Sequence, residues 1–165
     1  MGTGKVKIFT GAGRGKTPAA LGIALQRASR GDRIVIIQFL KGRGLDNSPF
    51  LKKLEPEIKL FRFEKTELPF DQMSPEQRED EIVNIRNGLH FAQKVLATGE
   101  CDVLVMDEVL GLVQNRIITV EDLHQIVLQS TDTDIILTGT VMDSSICAFA
   151  DEISEISTVH FKNFE

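Results

Sequence analysis

A glycine-rich segment near the start of the chain carries the residue types that bind phosphate. It reads Thr-Gly-Ala-Gly-Arg-Gly-Lys-Thr over residues 10–17, between a β-branched run and a helical pattern. Backbone N–H groups at such a helix start point outward with the positive end of the helix dipole, and small residues keep this anion cradle open. Lys16 adds a mobile cation, and the Thr17 hydroxyl can ligate Mg²⁺. The segment therefore predicts a nucleotide-phosphate site formed by Gly11, Ala12, Gly13, Arg14, Gly15, Lys16 and Thr17.

The spacing of this segment departs from the usual G-x-x-x-x-G-K-[ST] pattern. Three residues instead of four separate Gly11 from Gly15, and Thr10 occupies the position of the first glycine. Pro18 lies in the first helical turn, where N–H groups have no helical acceptor, so it removes a possible phosphate donor without breaking the helix. A glycine turn without chemical function is the alternative interpretation. The coincidence of strand, Gly-Lys-Thr and helix argues against it.

Two carboxylates follow an apolar strand in the second half of the chain. Residues 103–106 read Val-Leu-Val-Met, and Asp107 and Glu108 come directly after them. In phosphate-binding proteins of this kind, an acid at a strand end holds the magnesium ion that neutralises the phosphates. We therefore predict that Thr17, Asp107 and Glu108 form the metal site. A solvated acidic pair is the alternative.

Strand and helix patterns alternate along the chain, as in βαβ units with a mostly parallel sheet. Several strands are apolar throughout, as expected when helices cover both faces of a sheet. The predicted fold class is α/β, P-loop NTPase-like, in one domain over residues 1–165. The predicted strands are residues 5–10, 33–40, 58–63, 102–106, 134–138 and 153–159. Helices are predicted from Pro18 to Arg30, after a Ser74 cap as far as Gly99, and after a Thr119 cap.

Composition excludes several classes of protein. A formal charge of -5 argues against a surface that neutralises a nucleic-acid backbone. No segment approaches the roughly 20 apolar residues of a membrane span, and the two cysteines, Cys101 and Cys147, are too few for a disulfide scaffold. The three histidines, His90, His124 and His160, are scattered and form no catalytic set. We expect a cytoplasmic protein with no nucleic-acid or membrane partner.

The motifs resemble those of the P-loop type ATP:corrinoid adenosyltransferases over nearly the whole chain. The short glycine spacing is itself part of that family's pattern. The matching segments are residues 10–17, Ala-Ala-Leu-Gly at 19–22, Gln-Phe-Leu-Lys-Gly at 38–42, Leu-Val-Met-Asp-Glu at 104–108, Leu-Thr-Gly at 137–139 and Ala-Asp-Glu-Ile-Ser-Glu at 150–155.

The resemblance implies transfer of the 5′-deoxyadenosyl group of ATP to the Co(I) centre of a corrinoid, with triphosphate leaving. It implies Mg²⁺ as cofactor, ATP as co-substrate, an electron-donating reductase and a homodimer. Lys16 and Glu108 are then the catalytic candidates. Aromatic residues in the loop before the long helix press on the corrin in this family, and Phe70 is the candidate here. Helix packing is the alternative role for Phe70, and Gln38, Lys41 and Arg43 are candidates for the rim of the site.

The chain also departs from the family pattern. The family usually has Thr where Pro18 stands and Arg where Thr140 stands, and this chain contains no Trp. Two other functions therefore stay open at the level of the sequence: a P-loop phosphotransferase or ATPase, and a non-catalytic protein that binds ATP or a corrinoid.

Overall fold

The computed structural model describes residues 4–40, 49–64, 66–141 and 143–162. Six strands form one sheet in the order β3-β2-β4-β5-β1-β6, and every neighbouring pair is parallel. Their bounds are β1 Val6–Thr10, β2 Ile34–Gln38, β3 Ile58–Arg62, β4 Val103–Asp107, β5 Asp134–Thr138 and β6 Glu152–Glu155. All six predicted strands are present, and the predicted α/β class with a parallel sheet is confirmed.

Five α-helices connect or flank these strands in the described residues: α1 Lys16–Ala28, α2 Pro49–Lys52, α3 Pro75–Thr98, α4 Val109–Gln114 and α5 Val120–Val127. The Ser74 hydroxyl oxygen accepts a hydrogen bond from the Gln77 N–H, and the Gln77 side-chain oxygen accepts one from the Ser74 N–H. This pair of bonds confirms the predicted cap of α3. Thr119 and Asp122 form the same box at α5. Sequence patterns missed α2 and α4, because one short turn of helix gives no periodicity to detect. No helix of the described residues has the length and apolarity to cross a membrane.

Helices cover both faces of the sheet, as predicted. Ile34, Ile36, Val103 and Val105 pack toward α1, in one core cluster with Ala20 and Ala24. Their neighbours along the same strands, such as Val35 and Leu104, point the other way into a cluster with α3, α4 and α5. Because successive strand residues face opposite sides, a strand buried on both sides must be apolar throughout.

The carboxyl ends of four adjacent strands bring polar residues to one edge of the sheet. β2, β4, β5 and β1 end in Gln38, Asp107, Thr138 and Thr10 respectively. In register, Gln38 pairs with Asp107, and Thr138 pairs with Phe9 beside Thr10. Ligands of open parallel sheets bind at this edge.

Two of the boundaries that differ from the prediction lie beside the glycine-rich turn. α1 begins at Lys16, two residues before Pro18, because Pro18 fits the first helical turn. β6 ends at Glu155, whereas the sequence predicted a strand to Val159. After Glu155 the N–H of Ile156 still donates to Thr10 O (2.8 Å), but the chain then leaves the sheet and crosses the glycine-rich turn.

Candidate functional site

The glycine-rich turn joins β1 to α1 at the carboxyl edge of the sheet. Gly15 precedes the helix in the left-handed region, at φ 112°. The ammonium of Lys16 donates to the carbonyl oxygens of Gly11 (2.6 Å) and Gly13 (3.1 Å). It therefore lies inside the turn, where an entering anion would compete with two carbonyl groups for the same cation.

Residues 156–162, called the strap here, cover one side of this turn. The N–H of Gly13 donates to Ile156 O (3.0 Å), and the N–H of Arg14 donates to Thr158 Oγ1 (2.9 Å). The Arg14 guanidinium lies over the Phe161 ring, 3.8 Å from its centroid. A Cβ atom at Gly13 would come within 2.6 Å of the Thr158 nitrogen, so the close approach of two backbones requires glycine here. Sequence reasoning missed these contacts because they join residues about 145 positions apart.

A hydrogen-bond network links the start of α1 to three strand ends. Asp107 is buried at 1% exposure. One of its oxygens accepts from the hydroxyls of Thr138 (2.6 Å) and Thr17 (2.9 Å). The other accepts from Gln38 Nε2 (3.2 Å). The structure thus brings together Thr17 and Asp107, which the sequence predicted as metal ligands, and adds Thr138 and Gln38 as their partners.

Thr138 had no predicted role, and Gln38 was predicted only for the rim of the site. The sequence signal for both was the one that identified Asp107: a polar residue at the end of an apolar strand. What the sequence could not show is that these strands are neighbours. The strand order decides that.

The oxygen atoms of this network suit a magnesium ion. A hydroxyl has one proton and two lone pairs, so Thr17 can donate to Asp107 and still offer an oxygen to a cation. Mg²⁺ commonly binds through one or two carboxylates together with phosphates and waters. Among the described residues no group of three or more His, Cys, Asp and Glu side chains forms a metal cluster.

Comparison with known proteins adds an independent finding. Residues 2–163 match the family model described as ATP:corrinoid adenosyltransferase BtuR/CobO/CobP. The chain belongs to this family. It is 29% identical to the corrinoid adenosyltransferase of Escherichia coli K12 over 157 residues, 94% of this chain and 78% of that protein. It is 27% identical to the corrinoid adenosyltransferase CobA of Salmonella typhimurium over the same shares of both chains.

A solved structure supports the fold of this adenosyltransferase family member. The KaiC-like protein PH0186 of Pyrococcus horikoshii OT3 superposes with a TM-score of 0.54 at 16% sequence identity. The alignment covers 98% of this chain and 75% of that one. At this identity the likeness extends to the fold alone.

Glu108 lies next to the network in this family member, and its backbone is part of it. Its N–H donates to Thr138 Oγ1 (2.8 Å), and its φ of 62° is in the left-handed region. The side chain lies over the first turn of α4, with Oε1 3.2 Å from where a Cβ of Gly111 would stand. Left-handed backbone at a non-glycine residue is uncommon and is concentrated at functional sites. The carboxylate that the structure shows in contact with the Thr17 hydroxyl is that of Asp107.

Phe70 is positioned by the start of α3. It begins a short 3-10 helix, Phe70–Gln72. The Arg78 guanidinium lies 5.4 Å from the ring centroid, and Arg78 Nε donates to the Phe70 carbonyl (3.1 Å). The ring is only half buried, so these contacts leave part of it available to a ligand. The other two rim candidates, Lys41 and Arg43, lie outside the described residues.

Proposed function

We propose that this protein transfers the 5′-deoxyadenosyl group of ATP to the Co(I) centre of a corrinoid, in the synthesis or salvage of an adenosylated corrinoid. The observation that carries the proposal is the match of residues 2–163 to the ATP:corrinoid adenosyltransferase family. It is supported by the contact of Thr17 with Asp107 at the base of a glycine-rich turn.

The reaction is a displacement at carbon. The Co(I) electron pair attacks C5′ of ATP, the cobalt–carbon bond forms, and the C5′–O5′ bond breaks with its electrons remaining on the leaving triphosphate. Cobalt is thereby oxidised to Co(III). The attacking atom belongs to the substrate, so the protein needs neither a nucleophile nor a general base, in agreement with the scattered histidines.

The protein must then neutralise the leaving group and align the reactants. Lys16 would exchange its carbonyl partners, Gly11 and Gly13, for phosphate oxygens. The N–H groups of Gly15 and Lys16 lie at the start of α1, where backbone donors lack intrahelical acceptors. Negative charge is favoured at that end of the helix dipole. Interactions that strengthen as charge develops on triphosphate lower the barrier.

Thr17 and Asp107 would hold Mg²⁺, and Glu108, the next residue in the chain, would contribute through water. When bound, the ion supplies positive charge to the triphosphate oxygens. The role of the chain is to fix the oxygen atoms: Thr138 and Gln38 hold both oxygens of Asp107, and Asp107 orients the Thr17 hydroxyl.

Other parts of the proposal rest on family membership. We propose an ATP- and corrinoid-binding, cytoplasmic homodimer that receives electrons from a separate reductase. Phe70 would contact the corrin and help remove the lower axial ligand of cobalt, which makes Co(II) easier to reduce.

The deciding experiment is anaerobic incubation of the protein with ATP, Mg²⁺ and cob(I)alamin produced by chemical reduction. We expect the light-sensitive absorbance of an alkylated cobalt and an equimolar yield of triphosphate. Release of ADP or phosphate instead would favour a phosphotransferase or ATPase. Tight ATP binding without either product would favour a non-catalytic binding protein.

A further inference from the structure

Gln38 is a polar residue at a position that the fold buries completely. It is the last residue of β2, its exposure is 0%, and it stands in register with Asp107 on β4. The four residues before it in the strand are apolar and buried. An aliphatic residue here would continue the apolar pattern of the strand. The presence of a buried amide instead indicates that its polar atoms have a specific role.

Among the described residues, only the nitrogen of the Gln38 amide has a hydrogen-bond partner. Its Nε2 donates to Asp107, as described above. Its Oε1 is buried and has no hydrogen-bond partner in the part of the chain that the structure describes. Buried polar atoms are nearly always paired, and an unpaired one calls for an unseen partner.

The orientation of the amide follows from chemistry. The group facing the Asp107 carboxylate must be the NH₂, because a carbonyl oxygen there would face another acceptor. The carbonyl oxygen is therefore the atom left over. It can only accept, so its missing partner is a donor.

We infer that Gln38 is a positioning residue of the Mg²⁺·ATP site, whose amide nitrogen holds Asp107 and whose carbonyl oxygen accepts from a water bound to the metal. This inference rests on the proposed function. Mg²⁺ keeps several of its waters, and each bound water has O–H groups that need acceptors. Partners of this kind orient the ligands of a metal and typically change its affinity by about 10- to 100-fold when removed.

The choice of glutamine follows from the two contacts. Leucine would fill the same space but lose both the donor and the acceptor. Glutamate would keep an acceptor, lose the donor and put a second negative charge beside Asp107. Only an amide supplies both contacts without charge.

The test uses Mn²⁺ as a paramagnetic substitute for Mg²⁺, measured by electron paramagnetic resonance with saturating ATP and no corrinoid. For Gln38→Leu we expect Mn²⁺ affinity about 10-fold below wild type. ATP affinity in the presence of a chelator should stay within about twofold. The melting temperature should stay close to wild type, because removal of an unpaired buried oxygen offsets the lost hydrogen bond to Asp107. Gln38→Glu, which keeps the acceptor, should bind Mn²⁺ more tightly than Gln38→Leu.

Thr133→Val is the matched control for the loss of a buried polar group. Thr133 is 3% exposed and donates to Cys101 O (2.8 Å) at the opposite edge of the sheet. This variant should lower the melting temperature and leave Mn²⁺ affinity unchanged.

Three results would overturn the inference: unchanged Mn²⁺ affinity in Gln38→Leu, equal losses of metal-free and metal-dependent ATP binding, or Gln38→Glu no better than Gln38→Leu. If the leucine variant folds poorly, Gln38→Met, which has a similar volume and also removes the amide donor and the carbonyl acceptor, takes its place in all three comparisons. If wild type itself binds no Mn²⁺·ATP, the proposed function fails with it. If wild type binds and Gln38→Leu binds equally, only the role of Gln38 fails.

Discussion

The side chains of Lys16 and Thr17 already form hydrogen bonds within the protein, and their proposed roles depend on whether a ligand replaces those bonds or adds to them. Lys16 is bound to two carbonyl oxygens, and Thr17 donates to Asp107. Both arrangements keep the functional groups in place without a ligand. In the proposed mechanism, phosphate oxygens would replace the carbonyl partners of Lys16, whereas Thr17 would keep its bond to Asp107 and offer an oxygen lone pair to the metal.

Replacing Lys16 by alanine should reduce adenosylation by roughly 100-fold or more, because it removes a cation from the leaving phosphates. Circular dichroism and melting temperature should stay close to wild type. Lys7→Ala is the control: Lys7 pairs with Glu152 (3.1 Å) on the sheet and should not affect turnover. Near-normal activity of a folded Lys16→Ala protein would exclude this turn as the phosphate site.

Glu108→Gln should weaken the dependence on Mg²⁺ more than it weakens corrinoid binding, because the residue adjoins the Thr17–Asp107 pair at the end of β4. The change keeps the size of the side chain and removes its charge. Titration of activity with Mg²⁺ and of absorbance with corrinoid measures the two effects, with the exposed Glu121→Gln as control. Lost corrinoid affinity with unchanged Mg²⁺ affinity would assign Glu108 to the corrin instead.

Thr140→Arg should tighten ATP binding by roughly fivefold or more, because it restores a cation that the family usually has at this position. Thr140 follows β5, and the N–H of the next residue, Val141, donates to Thr10 Oγ1 (2.9 Å) at the start of the glycine-rich turn. Calorimetry with ATP and Mg²⁺ measures the change. Thr131→Arg, before the amino end of β5, supplies the same charge away from the site. An equal gain in both variants would show a general charge effect.

Elements, rather than single residues, decide how the site is enclosed. The strap residues 156–162 bond to the glycine-rich turn on one side. The 3-10 helix Phe70–Gln72 and the start of α3 follow β3, whose carboxyl end lies at the same edge of the sheet. The Ser74 capping box sets where α3 begins, and Arg78 in its first turns holds Phe70. A ligand role for Phe70 therefore depends on the beginning of this helix.

Phe70→Ala should slow adenosylation strongly when cobalt starts as Co(II) and a mild protein reductant supplies the electron. With cobalt already reduced to Co(I), which does not retain the lower ligand, the effect should be much smaller. Parallel assays from the two oxidation states measure the difference.

The matched control for Phe70→Ala is Phe149→Ala, another half-buried ring, which stacks on His124 with centroids 4.8 Å apart. Phe149→Ala should lower the melting temperature and change the adenosylation rate by the same factor in the Co(II) and Co(I) assays. Equal slowing from Co(II) and Co(I) in Phe70→Ala, together with a fall in melting temperature, would leave Phe70 a packing residue.

The fold gives the two cysteine thiols different exposure to solvent. Cys101 lies in the core at 3% exposure, and burial raises the pKa of its thiol to about 12, whereas Cys147 is exposed. A pKa raised by folding means that the unfolded chain loses this proton first as pH rises. The thiol therefore contributes to stability below its ordinary pKa, and that contribution is lost between the ordinary pKa and about 12.

A disulfide reagent at pH 8 should modify one thiol of the native protein, Cys147, and reach Cys101 only when the chain unfolds. The number of thiols that react with and without denaturant is the measurement. In Cys147→Ser, labelling should be slow and should accelerate in denaturant. Rapid modification of Cys101 in the native Cys147→Ser protein would contradict its burial.

The sequence by itself determined the local features of this protein. The strands, the capped start of α3, the glycine-rich turn and the acid at the end of β4 follow from residue type, periodicity and caps over a few neighbouring positions. The short spacing from Gly11 to Gly15 pointed to the family that the comparisons then confirmed.

Only the tertiary structure decided which of these features meet. The order β2-β4-β5-β1 places Gln38, Asp107 and Thr138 side by side, although Asp107 is 69 residues from Gln38 and 31 residues from Thr138 along the chain. The strap reaches the glycine-rich turn from the other end of the chain. Local patterns contain no information about strand order or about backbone contacts at such separations. These depend on how the helices pack on the two faces of the sheet, and therefore on the chain as a whole.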